Sequence, residues 1–202
     1  MRTLATYVLS ASSRLTILQG SVLDFAPRDP AKAAIVNAAN TGCLGGGGVD
    51  GAISEAGGRN LARDRIALPE KDGVRCPVGS AVRTGPGNYG RLPTDYVLHA
   101  VGPMYQYDER LFDKQDRELI SAYQETMALA VESRLDQVAF SLLSAGVYRG
   151  PRSLYEVLLL GILALRDSPH TVPDVYLCGF TGEECTTLCK VCDRLGLQEY
   201  QQ

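Results

Sequence analysis

The sequence predicts an α/β fold in which a largely parallel sheet carries helices on both faces. Three observations lead there. Short β-type runs alternate with helical patterns, as at Val138 to Leu143, Ser153 to Arg166, Val175 to Cys178 and Glu183 to Leu195. The segment Glu109 to Ser133 repeats apolar residues at three- and four-residue spacing. Loops of small residues directly follow strand-like runs and lead into helices, the arrangement that places ligands beyond the carboxyl ends of parallel strands.

The elements follow in order. Val8 and the run Leu15 to Leu18 read as early strands. Phe25 to Lys32, with Pro27 and Pro30, is a polar loop before a strand ending at Val36. Gly51 to Leu68 is largely helical with a break near Gly57-Gly58. Ser80 to Thr84 and Tyr96 to Val101 have strand character, separated by a turn-rich stretch with Pro86, Gly87, Asn88 and Gly90. In the long helix, Leu119, Tyr123, Met127, Ala130 and Val131 should face a core. Val157 to Leu165, interrupted only by Gly161, reads as a buried helix and is too short to span a bilayer.

Bulk properties narrow the function. A chain of 202 residues suits one domain, residues 1–202 with a core at about 14–195. The formal charge of -3 argues against a surface built for nucleic-acid phosphates. Met1 to Ser10 lacks the apolar core of a signal peptide, and six cysteines without secretory features indicate reduced thiols; an intracellular location is expected, with no membrane partner. Cys185, Cys189 and Cys192 sit at helical spacing without a fourth ligand, and His170 is the only histidine in that half. Packed thiols, not a metal, are expected there, and no cofactor is implied.

Residues Ile35 to Gly58 read IVNAANTGCLGGGGVDGAISEAGG. A strand runs into the amides Asn37 and Asn40, then into Gly45, Gly46, Gly47 and Gly48, then Val49 and Asp50 at the start of a helix. Glycines allow a ligand close to the backbone, and a helix N-terminus offers unpaired N–H groups to an anion. Asparagine side chains can grip a sugar diol, and Asp50 can accept a proton from water or a ribose hydroxyl. The plainer alternative makes Asp50 an N-cap and the asparagines turn formers; the glycine tetrad between them favours the functional reading. Cys43 in this loop has no activating histidine nearby in sequence. A second loop, Ser144, Ala145, Gly146, Val147 and Tyr148, also leaves a strand and runs into a helix at about Ser153. Its small residues would let N–H groups reach a second phosphate, with Tyr148 closing over a sugar. Phe180 follows the strand Val175 to Cys178 and either stacks on a nucleobase or caps the core. His99, inside an apolar strand, reads as a satisfied core histidine.

Together these segments resemble the macrodomain, an ADP-ribose-binding family, and the run Leu44 to Ile53 is similar to its MacroD-type hydrolytic branch. The resemblance implies a three-layer α/β/α sandwich around a mixed, mostly parallel six-stranded sheet. It implies that Asn40 contacts the distal ribose and that Asp50 is tied to hydrolysis. The two loops would embrace the diphosphate, and Phe180 would stack on adenine. One departure stands out: where the family carries an acid that recognises the adenine amino group, this chain has Ser21, followed by Val22, with Asp24 three residues on. Asp24 or Asp29 takes over that contact, or Ser21 makes a weaker one. The implied activity is removal of mono-ADP-ribose ester-linked to protein Asp or Glu, deacetylation of O-acetyl-ADP-ribose, or both. A non-catalytic reader of ADP-ribose and an ADP-ribose 1''-phosphate phosphatase are the alternatives. The implied partner is ADP-ribose or an ADP-ribosylated protein.

Overall fold

Alternation within the central strands sets the layers. The computed structural model describes residues 1–200. In β3 (Ala33–Ala38) and β6 (Gln137–Ser141) nearly every residue is buried, which requires cover on both faces. Ala34, Val36, Val138 and Phe140 point into one core; Ala33, Ile35 and Ala139 point into the other. Two layers of helix therefore enclose one sheet, as expected.

The sheet has seven strands where six were expected, in the order β1-β2-β7-β6-β3-β5-β4. The remaining strands are β1 (Arg2–Ser10), β2 (Ser13–Gln19), β4 (Ala81–Thr84), β5 (Tyr96–Ala100) and β7 (Asp174–Gly179). The edge strands β1 and β4 pair antiparallel with β2 and β5, and every interior pairing is parallel. The carboxyl ends of β2, β7, β6, β3 and β5 thus share one edge of the sheet.

Three helices cover the larger core: α2 (Phe112–Glu132), α3 (Leu154–Arg166) and α4 (Gly182–Arg194). On α2, Leu119, Tyr123, Met127 and Ala130 are buried, but Val131 is 41% exposed, against expectation. Each four-residue step overshoots a full turn by about 40°. Position 131 has drifted about 120° from Leu119, whereas Ala130 lies back on the stripe, about 20° away. Cys185 and Cys192 pack inward from α4, and the Cys185 thiol donates to the Gly179 carbonyl.

The opposite face is covered by α1 (Gly48–Ile66), through Ile53 and Leu61. This helix is broken at Gly58, whose φ of 60° and ψ of -153° are non-helical, where the glycine pair predicted a break. In a straight helix, residues fifteen apart lie about 22 Å from one another. The break folds the second arm back, so that Arg65 reaches Asp50 at 2.7 Å.

Gly58→Ala should therefore cost about 1–3 kcal/mol, the scale for a side chain in this backbone region. Equilibrium urea unfolding reads it directly, and an unchanged midpoint would contradict the account of the break.

Candidate functional site

Loops from the shared strand edge form a cleft of two adjoining cavities. They have Gly48, Val49, Leu142 and Gly146 in common as lining. The β3-side cavity, about 380 Å³, is lined by Asn40, Gly46, Gly47 and Asp50, and across from them by Ser144, Val147 and Tyr148. The β7-side cavity, about 370 Å³, is lined by Ser21, Val22, Ala145 and Phe180. Either volume holds part of a nucleotide-sized ligand.

The floor of the cleft is the start of α1. Gly47 precedes the helix with no side-chain cap, so its first N–H groups lack the side-chain partner that α3 and α4 each recruit. The contrast with its neighbours is sharp. Ser153 and Glu156 form a capping box at α3, and Thr181 and Glu184 form one at α4. The second loop turns through a short 3-10 segment, Val147–Arg149, before α3 begins, and neither Ser153 nor Leu154 lines the cleft. The N-terminus of α1 lines both cavities through Gly48 and Val49 and can meet an anion in this cleft.

Asp50 is not an N-cap. It is the third residue of α1, 3% exposed, with its carboxylate turned into a buried polar network. Its Oδ1 accepts hydrogen bonds from Arg65 at 2.7 Å and from the Asn37 Nδ2 at 2.8 Å. Arg65 is 1% exposed and also donates to the Ser54 hydroxyl at 2.6 Å, which in turn donates to the Asp50 carbonyl at 2.7 Å. Oδ2 accepts no hydrogen bond among the described residues. It lies 3.1 Å from the point that a Cβ on Gly46 would take, and the Asn40 Nδ2 lies at the same distance from that point. A side chain there would press on both groups, which glycine avoids.

His99 belongs to the same network. Its Nδ1 faces the Asn37 Nδ2 at 3.1 Å and Arg65 at 3.3 Å, both donors, so Nδ1 accepts. Nε2 then carries the proton and donates to the Thr84 hydroxyl at 3.0 Å. Burial, and then the Arg65 charge, push His99 well below the ordinary imidazole value of 6.5. It is a neutral core histidine, as the strand pattern predicts, and it braces the pair beside it.

The other expected residues divide. Asn40 lines the cleft, but its Oδ1 already accepts from the N–H groups of Gly42 and Cys43, and its Nδ2 donates to the Gly45 carbonyl. Asn40 thus shapes the turn and keeps one N–H for a ligand. Asn37 is fully buried and outside the lining, contrary to the expectation of ligand contact; its neighbours are Asp50 and His99. Gly45, with φ of 114°, also lies outside the lining and accepts the Asn40 bond. Asp24 is exposed and away from the cleft, because the short helical turn Val22–Asp24 directs Val22 inward instead. Asp29 caps the next turn, accepting from the Ala31 N–H. Phe180 is 74% exposed at the rim, which rules out the core-capping alternative. Cys43 is fully buried in a small cluster with Cys76 and Val101.

Sequence reasoning missed Arg65, Ser54 and Glu184. Arg65 lies fifteen residues beyond Asp50, and only the glycine break signals that the helix returns. Glu184 lines the β7-side cavity from the first turn of α4.

The model of the family described as Macro domain matches residues 36–156. The chain is 36% identical over 151 residues to a Pantoea vagans protein named O-acetyl-ADP-ribose deacetylase 2, covering 75% of this chain and 81% of that one. Its fold is similar to that of an Oceanobacillus iheyensis macrodomain solved with ADP, with a TM-score of 0.81 at 24% identity over 96% of this chain and 98% of that one. A Trypanosoma brucei macrodomain in complex with ADP-ribose gives a TM-score of 0.68 at 31% identity, over 87% of this chain and 68% of that one.

Two outcomes follow from the buried network. Arg65→Met should cost about 3–5 kcal/mol, because it strands a buried carboxylate; chemical denaturation measures it, and a loss below about 1 kcal/mol would contradict the pairing. The second concerns pH. In the unfolded chain a histidine titrates near 6.5, whereas folded His99 stays neutral to well below that value. The unfolded state then binds more protons, so stability conferred by neutral His99 is present above about pH 6.5 and is lost as pH falls. Relative to a His99→Asn variant, the wild type should lose up to about 1.4 kcal/mol per pH unit below that point. Parallel stability-pH curves for the two proteins would contradict it.

Proposed function

This chain belongs to the macro domain family, and we propose that it hydrolyses an ester at the distal ribose of ADP-ribose. The substrate named for its relatives, O-acetyl-ADP-ribose, carries such an ester; mono-ADP-ribose attached to a protein Asp or Glu carries the same bond. One observation carries the proposal. A carboxylate is fixed through one oxygen by Arg65 and Asn37 and keeps its other oxygen unpaired, beside an uncapped helix N-terminus in the cleft.

The roles follow from chemistry. The free N–H groups at Gly48 and Val49 suit the diphosphate, and a net negative protein needs such neutral donors to hold it. Asn40 offers its remaining N–H to a ribose hydroxyl. Asp50 Oδ2 accepts from the attacking water or from the hydroxyl that orients it. The water oxygen bonds to the acyl carbon, the bond from that carbon to the ribose oxygen breaks, and the ribose oxygen takes the proton. Holding the diphosphate and base at a distance from the reacting carbon uses remote binding energy to position the ester. A module that only reads ADP-ribose needs no carboxylate held in this way, so the unpaired oxygen supports hydrolysis.

The test is Asp50→Asn, assayed on O-acetyl-ADP-ribose and on a glutamate-linked target. Turnover should fall about 10²–10⁴-fold, the usual contribution of a proton-transferring group, while ADP-ribose affinity by calorimetry stays within a few-fold. Turnover that survives the change would remove Asp50 from the mechanism, and wild-type binding without turnover would favour a reader.

A further inference from the structure

Glu184 is the one charged side chain lining the β7-side cavity, whose other lining residues are small, apolar or neutral. Its Oε2 accepts from the backbone N–H groups of Phe180 and Thr181, each at 2.8 Å. Its Oε1 accepts no hydrogen bond among the described residues. Capping α4 accounts for Oε2, and a glutamine would cap as well. The bonds leave the second carboxylate oxygen unpaired on a residue that lines a cavity with an exposed Phe180 ring at its rim. The two acids near Ser21 in sequence are elsewhere: Asp24 is exposed off the cleft and Asp29 caps its own turn.

We propose that Glu184 selects the base of the ligand, with Oε1 accepting a hydrogen bond from the exocyclic amino group of adenine. This rests on reading the cleft as the ADP-ribose site. A carboxylate oxygen only accepts, so it favours a base edge that presents N–H and repels one that presents a carbonyl. Hypoxanthine has a carbonyl where adenine has the amino group. Guanine, too, has a carbonyl at that position, and its N–H pair suits a carboxylate with both oxygens free; Glu184 has one. The bond from Phe180 N–H to Oε2 also ties the base-selecting carboxylate to the backbone of the ring positioned to stack. Specificity at this end thus comes from the first turn of α4 and not from the loop after β2.

The experiment is calorimetric titration of the intact chain with ADP, IDP and GDP, for wild type and Glu184→Gln. The variant keeps an oxygen for the capping bonds and turns the free position into a donor. Wild type should bind ADP at least tenfold more tightly than IDP or GDP, and Glu184→Gln should erase or invert that preference. Equal affinities for ADP and IDP in wild type would overturn the proposal without recourse to any variant. An unchanged preference in Glu184→Gln would overturn it while leaving the nucleotide site intact. Failure of all three to bind wild type would overturn it together with the reading of the cleft.

Discussion

The ion pair between Asp50 and Arg65 is the constraint on which the rest of the site depends. Both side chains are buried, and taking two charges out of water costs more than an isolated pair returns unless other hydrogen bonds complete it. Here Asn37 from β3, Ser54 from α1 and His99 from β5 complete it. The network therefore ties two central strands to both arms of a broken helix. Geometry, more than net stability, is its product: Oδ1 is held by two donors, which fixes where Oδ2 stands.

The same physics is used in opposite ways at neighbouring helix ends. At α3 and α4 a hydroxyl takes the third first-turn N–H and a glutamate takes the N–H of the capping residue. At α1 the residue in that position is Gly47, with no side chain to seal anything. The open end falls at the carboxyl edge of the parallel strands, between the loops after β3 and β6. A chain with net charge -3 can in this way hold an anion without a basic patch.

Much of this was legible in the sequence because it is local. The short apolar runs of β3 and β6, the three- and four-residue stripe of α2 and the strand-to-glycine-to-helix order each lie within a few residues of one another. The glycine pair announced the break in α1, but not the return of Arg65, since nothing near position 65 records what the second arm will touch. Asn37 shows the converse. Its motif pointed to a ligand, yet strand alternation turns its side chain beneath Asp50. At the base end the spacing from Ser21 to Asp24 looked like a short detour for an acid, but the helical turn at Val22–Asp24 sends the carboxylate outward. Glu184 was hidden because a capping box is so ordinary a reason for a glutamate at that position.

The most direct measurement is a crystal structure of the protein with ADP-ribose. The diphosphate should lie on the N–H groups at the start of α1, with Asp50 still paired through Oδ1 to Arg65 and Oδ2 as the carboxylate oxygen nearest the distal ribose. A diphosphate bound away from that helix end, or an Asp50 that leaves Arg65 to meet the ligand, would contradict this arrangement.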